Sequence, residues 1–403
     1  MESLHVSDRA IWNGFVRQAP NGHICQTYEW PEHIGDAARR NSLRLGVFDR
    51  GRLAAAVLLV YNEADIVHAP FYYAPRGPVY ASGIGPDSLA LRELLAFARR
   101  EAAKRGAFMV HFEPNIAEPA PAWARRHRAL GLRATRQALY PRSAWVTDIS
   151  RSEDELLAAM TKGWRYGIRR GTREGVTVRC GRTERDFESF YALLRRTGER
   201  NRFHVYAAQL YRDMLADYSP EHAAANGTAE MPLFLAEHAG APVAAATVAV
   251  HGARAWYMHG ALADGVGDRH IEANRVLLWR CVQWAKSQGA TSFDWRSIPE
   301  EPRPGEELYG VYAFKRGFGG AAQRVIPSQD LVLRPVIYWP YLAAITLRQT
   351  LRAWRRRRFE RERQAAHPAA PAPRRPEMAP QPGHLPPRPR PSEARRRQAS
   401  LSH

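Results

Sequence analysis

The sequence predicts a mixed α/β protein in which one folding unit occurs twice in tandem, followed by a basic disordered tail. Three observations predict it. First, the chain has 403 residues, more than one hydrophobic core usually serves. Second, two blocks recur in the same order: Leu43 to Val60, LRLGVFDRGRLAAAVLLV, overlays Leu233 to Val250, LFLAEHAGAPVAAATVAV, without a gap, and Leu94 to Glu113 overlays Leu277 to Arg296 with Leu-Leu, Ala and Gly-Ala in register. Third, from Ala353 onward there are 13 Arg against 4 Glu together with 10 of the 29 prolines, a composition that cannot build a core.

In each copy the pattern reads as a strand, a turn bearing Gly, two further strands, a helix ended by Gly106 or Gly289, and a last strand. Antiparallel strands first, with a helix feeding a neighbouring strand, fit an acetyltransferase-like (GNAT-like) α/β unit. A Rossmann half would need a glycine-rich turn straight after its first strand. The expectation is two tandem GNAT-like units at residues 1–150 and 151–345.

Between the copies, Ser152-Glu153-Asp154-Glu155 has the residue types of a helix start. Arg165, Arg169 and Arg173 follow at i, i+4 and i+8, so on a helix they share a face and repel unless an anion lies there. Pairing with Glu174, Glu184 or water is the alternative, and Gly167 and Gly171 weaken such a helix. Beyond the units, Leu347, Leu351 and Trp354 at i, i+4 and i+7 predict a basic amphipathic helix over 346–364, entered through Pro340 in its first turn and running into Arg355 to Arg358. Rings beside arginines suit a membrane surface; packing on the protein body is the other reading. Residues 365–403 read as the disordered Arg/Pro-rich tail.

Composition narrows the function. The net charge of +19 points to polyanionic partners such as nucleic acid, phosphorylated metabolites or an acidic membrane face. The absence of a long apolar run argues against a transmembrane protein. An N-terminus without a signal pattern, and Cys25, Cys180 and Cys281 without metal or disulfide spacing, suggest the cytoplasm. There is no GxxxxGK[ST], HExxH, GxSxG or CxxC, so covalent and metal mechanisms lose ground. A coenzyme A loop of the type [QR]xxGx[GA] is missing from both copies, at Arg76 to Gly85 and at Asp268 to Asn274, which makes an acyl-CoA donor less expected.

Several blocks carry a family resemblance over about residues 10–345. They are Gln26-Thr27-Tyr28-Glu29-Trp30, Tyr73 to Pro78, Arg165 to Arg170, Thr197 to Tyr206, Trp256 to Ala261, and Phe314-Lys315-Arg316-Gly317-Phe318-Gly319. In their order the chain resembles the FemABX peptidyltransferases, non-ribosomal enzymes that add amino acids from aminoacyl-tRNA to peptidoglycan precursors. Members carry two acetyltransferase-like units, which agrees with the repeat. The chemistry the resemblance implies is attack of a stem-peptide amine on the tRNA ester, with positioning and cationic stabilisation doing the catalysis. No metal or dissociable cofactor is implied.

By the same resemblance Lys315 would contact the oxyanion or the terminal phosphate, with Gly317, Gly319 and Gly320 letting backbone approach the ligand. Asp294, ending the strand Ser292 to Trp295, could accept the amine's proton, or pair with Arg296. Arg76, Arg165, Arg169, Arg202, Tyr257, His259, Asn274, Phe314 and Phe318 are the candidate substrate-binding residues. One departure stands out: several relatives have a lysine four residues after the tryptophan of the Gln26–Trp30 block, where this chain has Ile34. The partners implied are aminoacyl-tRNA, a peptidoglycan precursor (lipid II or UDP-MurNAc-pentapeptide) and, through the basic C-terminal segment, the inner face of the cell membrane. The rivals are an N-acyltransferase using acyl-CoA or an acyl carrier, and a non-catalytic RNA or membrane-surface binder.

Overall fold

A computed structural model describes residues 1–263, 272–304 and 308–366, excepting the side chains of 352, 353 and 355–366. The expected tail from 367 onward lies outside the described residues. Residues Met1–Leu342 form one compact body, and Ala343 onward a second.

The first body contains two mixed sheets built on one plan. In the first, β1 (Glu2–His5) flanks the hairpin β2 (Leu43–Asp49) and β3 (Arg52–Ala64). Next to β3 come β4 (Ala69–Arg76) and the short β5 (Val79–Tyr80). The helix Leu89–Lys104 then feeds β6 (Met109–Pro114), which pairs in parallel with β4. The second sheet repeats this: β10 (Leu233–His238) and β11 (Ala241–His251) form the hairpin, and β12 (Arg254–Leu262) follows. The helix Ala273–Ser287 feeds β13 (Ser292–Ser297), parallel to β12.

The two copies are not cut cleanly at residue 150. β8 (Ser143–Asp148) belongs to the second sheet, where it lies between β13 and β14 (Ala321–Arg324). In return β15 (Gln329–Val332), from the far end of the body, enters the first sheet between β6 and β7 (Leu132–Ala134). The outer edge of the second sheet is β9 (Thr177–Gly181). The expected units 1–150 and 151–345 therefore exchange strands. Residue patterning marks a segment as a strand without naming its partner, and β6 and β13 each need an antiparallel neighbour on their free side.

The internal repeat is real in three dimensions, with one correction. Gly106 and Gly289 end the two feeding helices at φ 76° and 85°, and the strands after them start at matching positions. In the hairpins, however, the turns Arg50-Gly51 (φ 50° and 77°) and Ala239-Gly240 (φ 51° and 77°) are the structural equivalents. Positive φ at both turn residues is the tight-hairpin geometry. Superposing these turns, and the bulges just before them, shifts the pairing by one residue from the ungapped overlay. That overlay followed the alanine runs, whereas register is set by the turn.

Ser152 caps the helix Glu153–Ala159 through a reciprocal pair with Glu155. The next helix, Lys162–Arg173, packs on Ala273–Ser287. Its glycines have a use that propensity hides. A Cβ on Gly167 would sit 2.5 Å from the Arg275 side chain and one on Gly171 2.7 Å from Val276, so both let the helices approach. The C-terminal helix starts earlier than the sequence suggested: it runs Pro335–Ala366, with Pro335 at its first position and Pro340 inside it.

A buried polar chain holds β15 in place. The Tyr73 hydroxyl donates to Glu113, His111 contacts Glu113 Oε1 at 3.4 Å and Asp330 Oδ1 at 2.6 Å, and the Tyr338 hydroxyl donates to Asp330 Oδ2 at 2.7 Å. Burial alone would lower the His111 pKa, but hydrogen bonds to Asp330 and Glu113 outweigh it and raise it to about 9. A raised folded-state pKa means stability that is complete below the ordinary value near 6.5 and is lost as pH rises through about 9. The shift corresponds to roughly 3 kcal/mol. Urea unfolding between pH 6.5 and 9.5 is expected to show a loss of that order, and His111→Gln to start less stable and lose much less over the same range.

Candidate active site

Along β13 the side chains alternate. Phe293 and Trp295 enter the second core, while Ser292, Asp294 and Arg296 face the first half of the body. A cleft of about 450 Å³ opens there, lined by Trp256, Ser292 and Asp294 from the second sheet and by Asn21, His23, Tyr80 and Trp123 from the first half.

Beside the cleft, two arginines meet over one ring. The Arg76 guanidinium lies 4.5 Å and that of Arg296 5.0 Å from the centre of Tyr140, a cation–π arrangement. Arg76 ends β4 and Arg296 is the last residue but one of β13, both in left-handed backbone, at φ 57° and 67°. That conformation costs about 1 kcal/mol or more for a residue with a Cβ. At Arg296 it is supported by the backbone N–H donating to Asp294 Oδ1 at 2.6 Å, where the β13–β8 pairing breaks between Asp294 and Ser297. Arg76 donates to the Pro141 carbonyl.

Lys315 comes to this cluster from the last turn of the helix Tyr309–Arg316. It is buried, and its Nζ donates to the Ser297 carbonyl at 2.6 Å, using one of three donors. Burial pulls its pKa down to about 8, with Asp294 acting upward and Arg296 downward. The Asp294 carboxyl is raised by burial, against the Arg296 N–H and the charges of Arg296, Arg76 and Lys315. The neighbouring groups are poor nucleophiles or bases. Burial pushes the Cys25 thiol up to about 12. Burial, then Arg76, Arg296 and Arg254, holds His23 well below the ordinary imidazole value. The site is thus a cationic pocket edge with one carboxyl, suited to binding anions and stabilising developing negative charge.

The other candidates divide. Arg165 is tied to the Ala158 carbonyl at 3.0 Å and to that of Met160, closing the end of the helix Glu153–Ala159. Arg169 and Arg173 are exposed, so the expected three-arginine stripe reduces to two. Arg202 caps the helix Glu184–Asn201 at φ 56° and lines a separate hollow with Phe203 and His204. Asn274 lies in the first turn of Ala273–Ser287, partly buried; residues 268–271 lie outside the described set. His259 hydrogen-bonds Thr247 at 2.8 Å and is held near 3 by burial and then Arg296.

Tyr257, Phe314 and Phe318 have packing roles. Phe318 stacks on Trp295 at 3.7 Å and lies 3.9 Å from Trp164. Phe314 meets Trp164 edge-on at 4.9 Å, and Tyr257 packs against Trp295. The glycines after Lys315 approach other parts of the protein closely. A Cβ on Gly317 would lie 1.6 Å from Trp164 Nε1, one on Gly319 3.0 Å from the Ala159 carbonyl, and one on Gly320 2.3 Å from the Val146 carbonyl. Sequence reasoning missed Tyr140 and His23, which no motif marks, and treated Arg296 only as a partner for Asp294. Gly317→Ala is expected to lower stability by about 3 kcal/mol through overpacking, measurable by thermal unfolding; an unchanged midpoint would contradict the packing described.

Comparisons with known proteins agree with the fold. An acetyltransferase (GNAT) domain family matches residues 158–316, the segment from the end of the helix Glu153–Ala159 to Arg316. A lipid II:glycine glycyltransferase of Staphylococcus aureus (strain MRSA252) is 22% identical, covering 84% of this chain and 94% of its own. The crystal structure of FemX superposes with a TM-score of 0.74 at 19% identity, over 84% of this chain and 99% of that one. In sequence and fold the chain resembles these Fem proteins. Its architecture is a tandem acetyltransferase-like fold. A conserved protein of unknown function from Bacteroides thetaiotaomicron also shares the fold, with a TM-score of 0.54 at 10% identity over 82% of this chain and 98% of that one.

Proposed function

We propose that this protein transfers an amino acid from aminoacyl-tRNA to the stem-peptide amine of a peptidoglycan precursor, lipid II or UDP-MurNAc-pentapeptide, at the cytoplasmic face of the cell membrane. The observation that carries the reading is that Asp294, which lines the cleft, has the charges of Arg296, Arg76 and the buried Lys315 around it. The similarity to a lipid II:glycine glycyltransferase supports the choice of acceptor.

In the reaction, the amine nitrogen attacks the ester carbonyl, the new C–N bond forms, and negative charge collects on the carbonyl oxygen. Collapse breaks the bond to the tRNA ribose oxygen, which takes up the proton the amine gives up. The ester is already activated, so no protein nucleophile is needed, in keeping with the unreactive Cys25. Lys315 stabilises the oxyanion or a terminal phosphate. Asp294, whose raised pKa brings it nearer the working range, relays the amine's proton. Arg76 and Arg296 hold anionic groups of the substrates, while the exposed Arg169 and, in its separate hollow, Arg202 offer further contacts to a polyanion. No metal or dissociable cofactor enters the scheme.

Incubation with charged tRNAs and precursor, read by mass spectrometry, is expected to yield a precursor heavier by one amino-acid residue. Lys315→Ala should lower the rate by about a hundredfold or more with folding retained; an unaffected rate removes Lys315 from the mechanism. As a cation, Lys315 must stay protonated, so the rate should fall as pH rises through about 8, and Lys315→Arg should move that limb upward. The acetyltransferase-domain match keeps one other donor in view: turnover with acyl-CoA and no tRNA would overturn the aminoacyl-tRNA reading.

A further inference from the structure

We propose that His23 contacts the substrate: its imidazole, fixed in one tautomer by the backbone of Cys25, offers Nε2–H as a hydrogen-bond donor to a carbonyl oxygen of the group held in the cleft. The proposal rests on the reading above for the identity of that group, and not for the donor itself.

His23 stands just before the 3₁₀ turn Ile24–Gln26 and caps it, its Nδ1 accepting the Cys25 backbone N–H at 3.1 Å. A ring nitrogen that accepts carries no proton, so the imidazole hydrogen resides on Nε2. The turn itself is anchored. The buried Gln26 side chain accepts from the Leu58 N–H at 2.9 Å and donates to the Pro75 carbonyl at 2.7 Å, and the Trp12 indole donates to the Gln26 carbonyl at 2.7 Å. The His23 ring meets Trp256 edge-on at 5.0 Å and Tyr140, the phenol shared by Arg76 and Arg296, at 6.3 Å.

His23 is 4% exposed and lines the cleft together with Asp294. Its Nε2 hydrogen-bonds nothing among the described residues and yet is not sealed from solvent. Other polar side chains around the cleft are already engaged. Asn21 accepts from the Tyr80 N–H at 2.9 Å and donates to the Pro78 carbonyl at 2.8 Å, Arg254 donates to the carbonyls of Ala19, Pro20 and Gly22, and Arg324 pairs with Glu118 and Glu300. A donor left without a protein partner on the wall of a cleft is a place for an acceptor on a ligand.

The chemistry of that acceptor follows from the ring's charge. Protonating Nδ1 would set two N–H groups against each other, and burial, then Arg76 at the end of β4, Arg296 on β13 and Arg254 on β12, disfavour a further positive charge. His23 therefore stays uncharged. It is no general base, since Nε2 has no lone pair free to take a proton, and no general acid, since the ring has no extra proton to give. An uncharged N–H donor suits a carbonyl oxygen, which gains negative charge during attack, while full anions go to the arginines. Two carbonyls qualify in the reading above: the ester of aminoacyl-tRNA and an amide of the stem peptide.

Two substitutions separate the ends of the ring. Asn places an acceptor where Nδ1 lies and keeps the cap, whereas Gln reaches the position of Nε2 and keeps a donor there. His23→Asn is expected to hold its thermal midpoint and to lose about tenfold or more in kcat/KM with charged tRNA and UDP-MurNAc-pentapeptide, and His23→Gln to recover most of that loss. A fall in kcat, or a raised KM for charged tRNA, assigns the contact to the ester; a raised KM for the precursor alone assigns it to the stem peptide. Full activity in His23→Asn, or a His23→Gln variant that recovers nothing, overturns the proposal. Nitrogen NMR spectra of the histidine-labelled full chain, which need no substrate, should show Nε2–H and no titration of His23 between about pH 6 and 8; Nδ1–H or a titrating ring overturns it as well. If turnover occurs with acyl-CoA and not with tRNA, the reading above fails while the same two variants are read on the thioester carbonyl, so either idea can fail alone. A parent that transfers from neither donor removes both.

Discussion

Each sheet borrows a strand from the other half of the chain, and the candidate site depends on that exchange. β8 supplies the antiparallel neighbour of β13, and β15 does the same for β6. Two independent units joined by a linker would be free to move. Here the ladders commit segments from both halves of the body to both sheets, so Arg76 at the end of β4 and Arg296 near the end of β13 are held on one ring. Their common contact, Tyr140, sits on the connection between β7 and β8, the stretch through which the chain passes from one sheet to the other.

The electrostatics follow from that placement. Three cationic side chains would repel one another in a low-dielectric setting, and the protein answers with a phenol ring between two of them, carbonyls of Pro141 and Ser297, and one carboxyl. Lys315 shows the cost most clearly, its affinity for a proton reduced by burial yet kept high enough to remain charged near neutrality. A bound anion would relieve this crowding. The left-handed backbone at both arginines belongs to the same economy: strain is tolerated where surrounding ladders over-determine the chain path.

Much of the fold was legible because repetition and punctuation are local signals. Gly106 and Gly289 marked the helix ends and Ser152 the start of the linking helix, since caps and positive-φ turns are decided by neighbouring residues. The site was legible only in part. The resemblance marked Lys315 and Asp294, and these do converge. It also drew in Phe314, Phe318 and Tyr257, whose rings pack around Trp164 and Trp295. In sequence an aromatic that packs and one that binds look the same. The glycines at 317, 319 and 320 are ambiguous for a related reason: a missing Cβ announces close approach without saying what approaches.

The sequence by itself determined the duplicated plan, the glycine-marked ends of the two feeding helices, the basic C-terminal stripe and the residue types available for anion chemistry, because these rest on spacing and composition within short windows. Tertiary structure alone decided which strand pairs with which, the one-residue register of the hairpins, the burial that lowers Lys315 and raises Asp294, and the meeting of Arg76, Tyr140 and Arg296. Those depend on contacts between residues far apart in the chain, and no local pattern encodes the distance between two side chains or the solvent removed from around them.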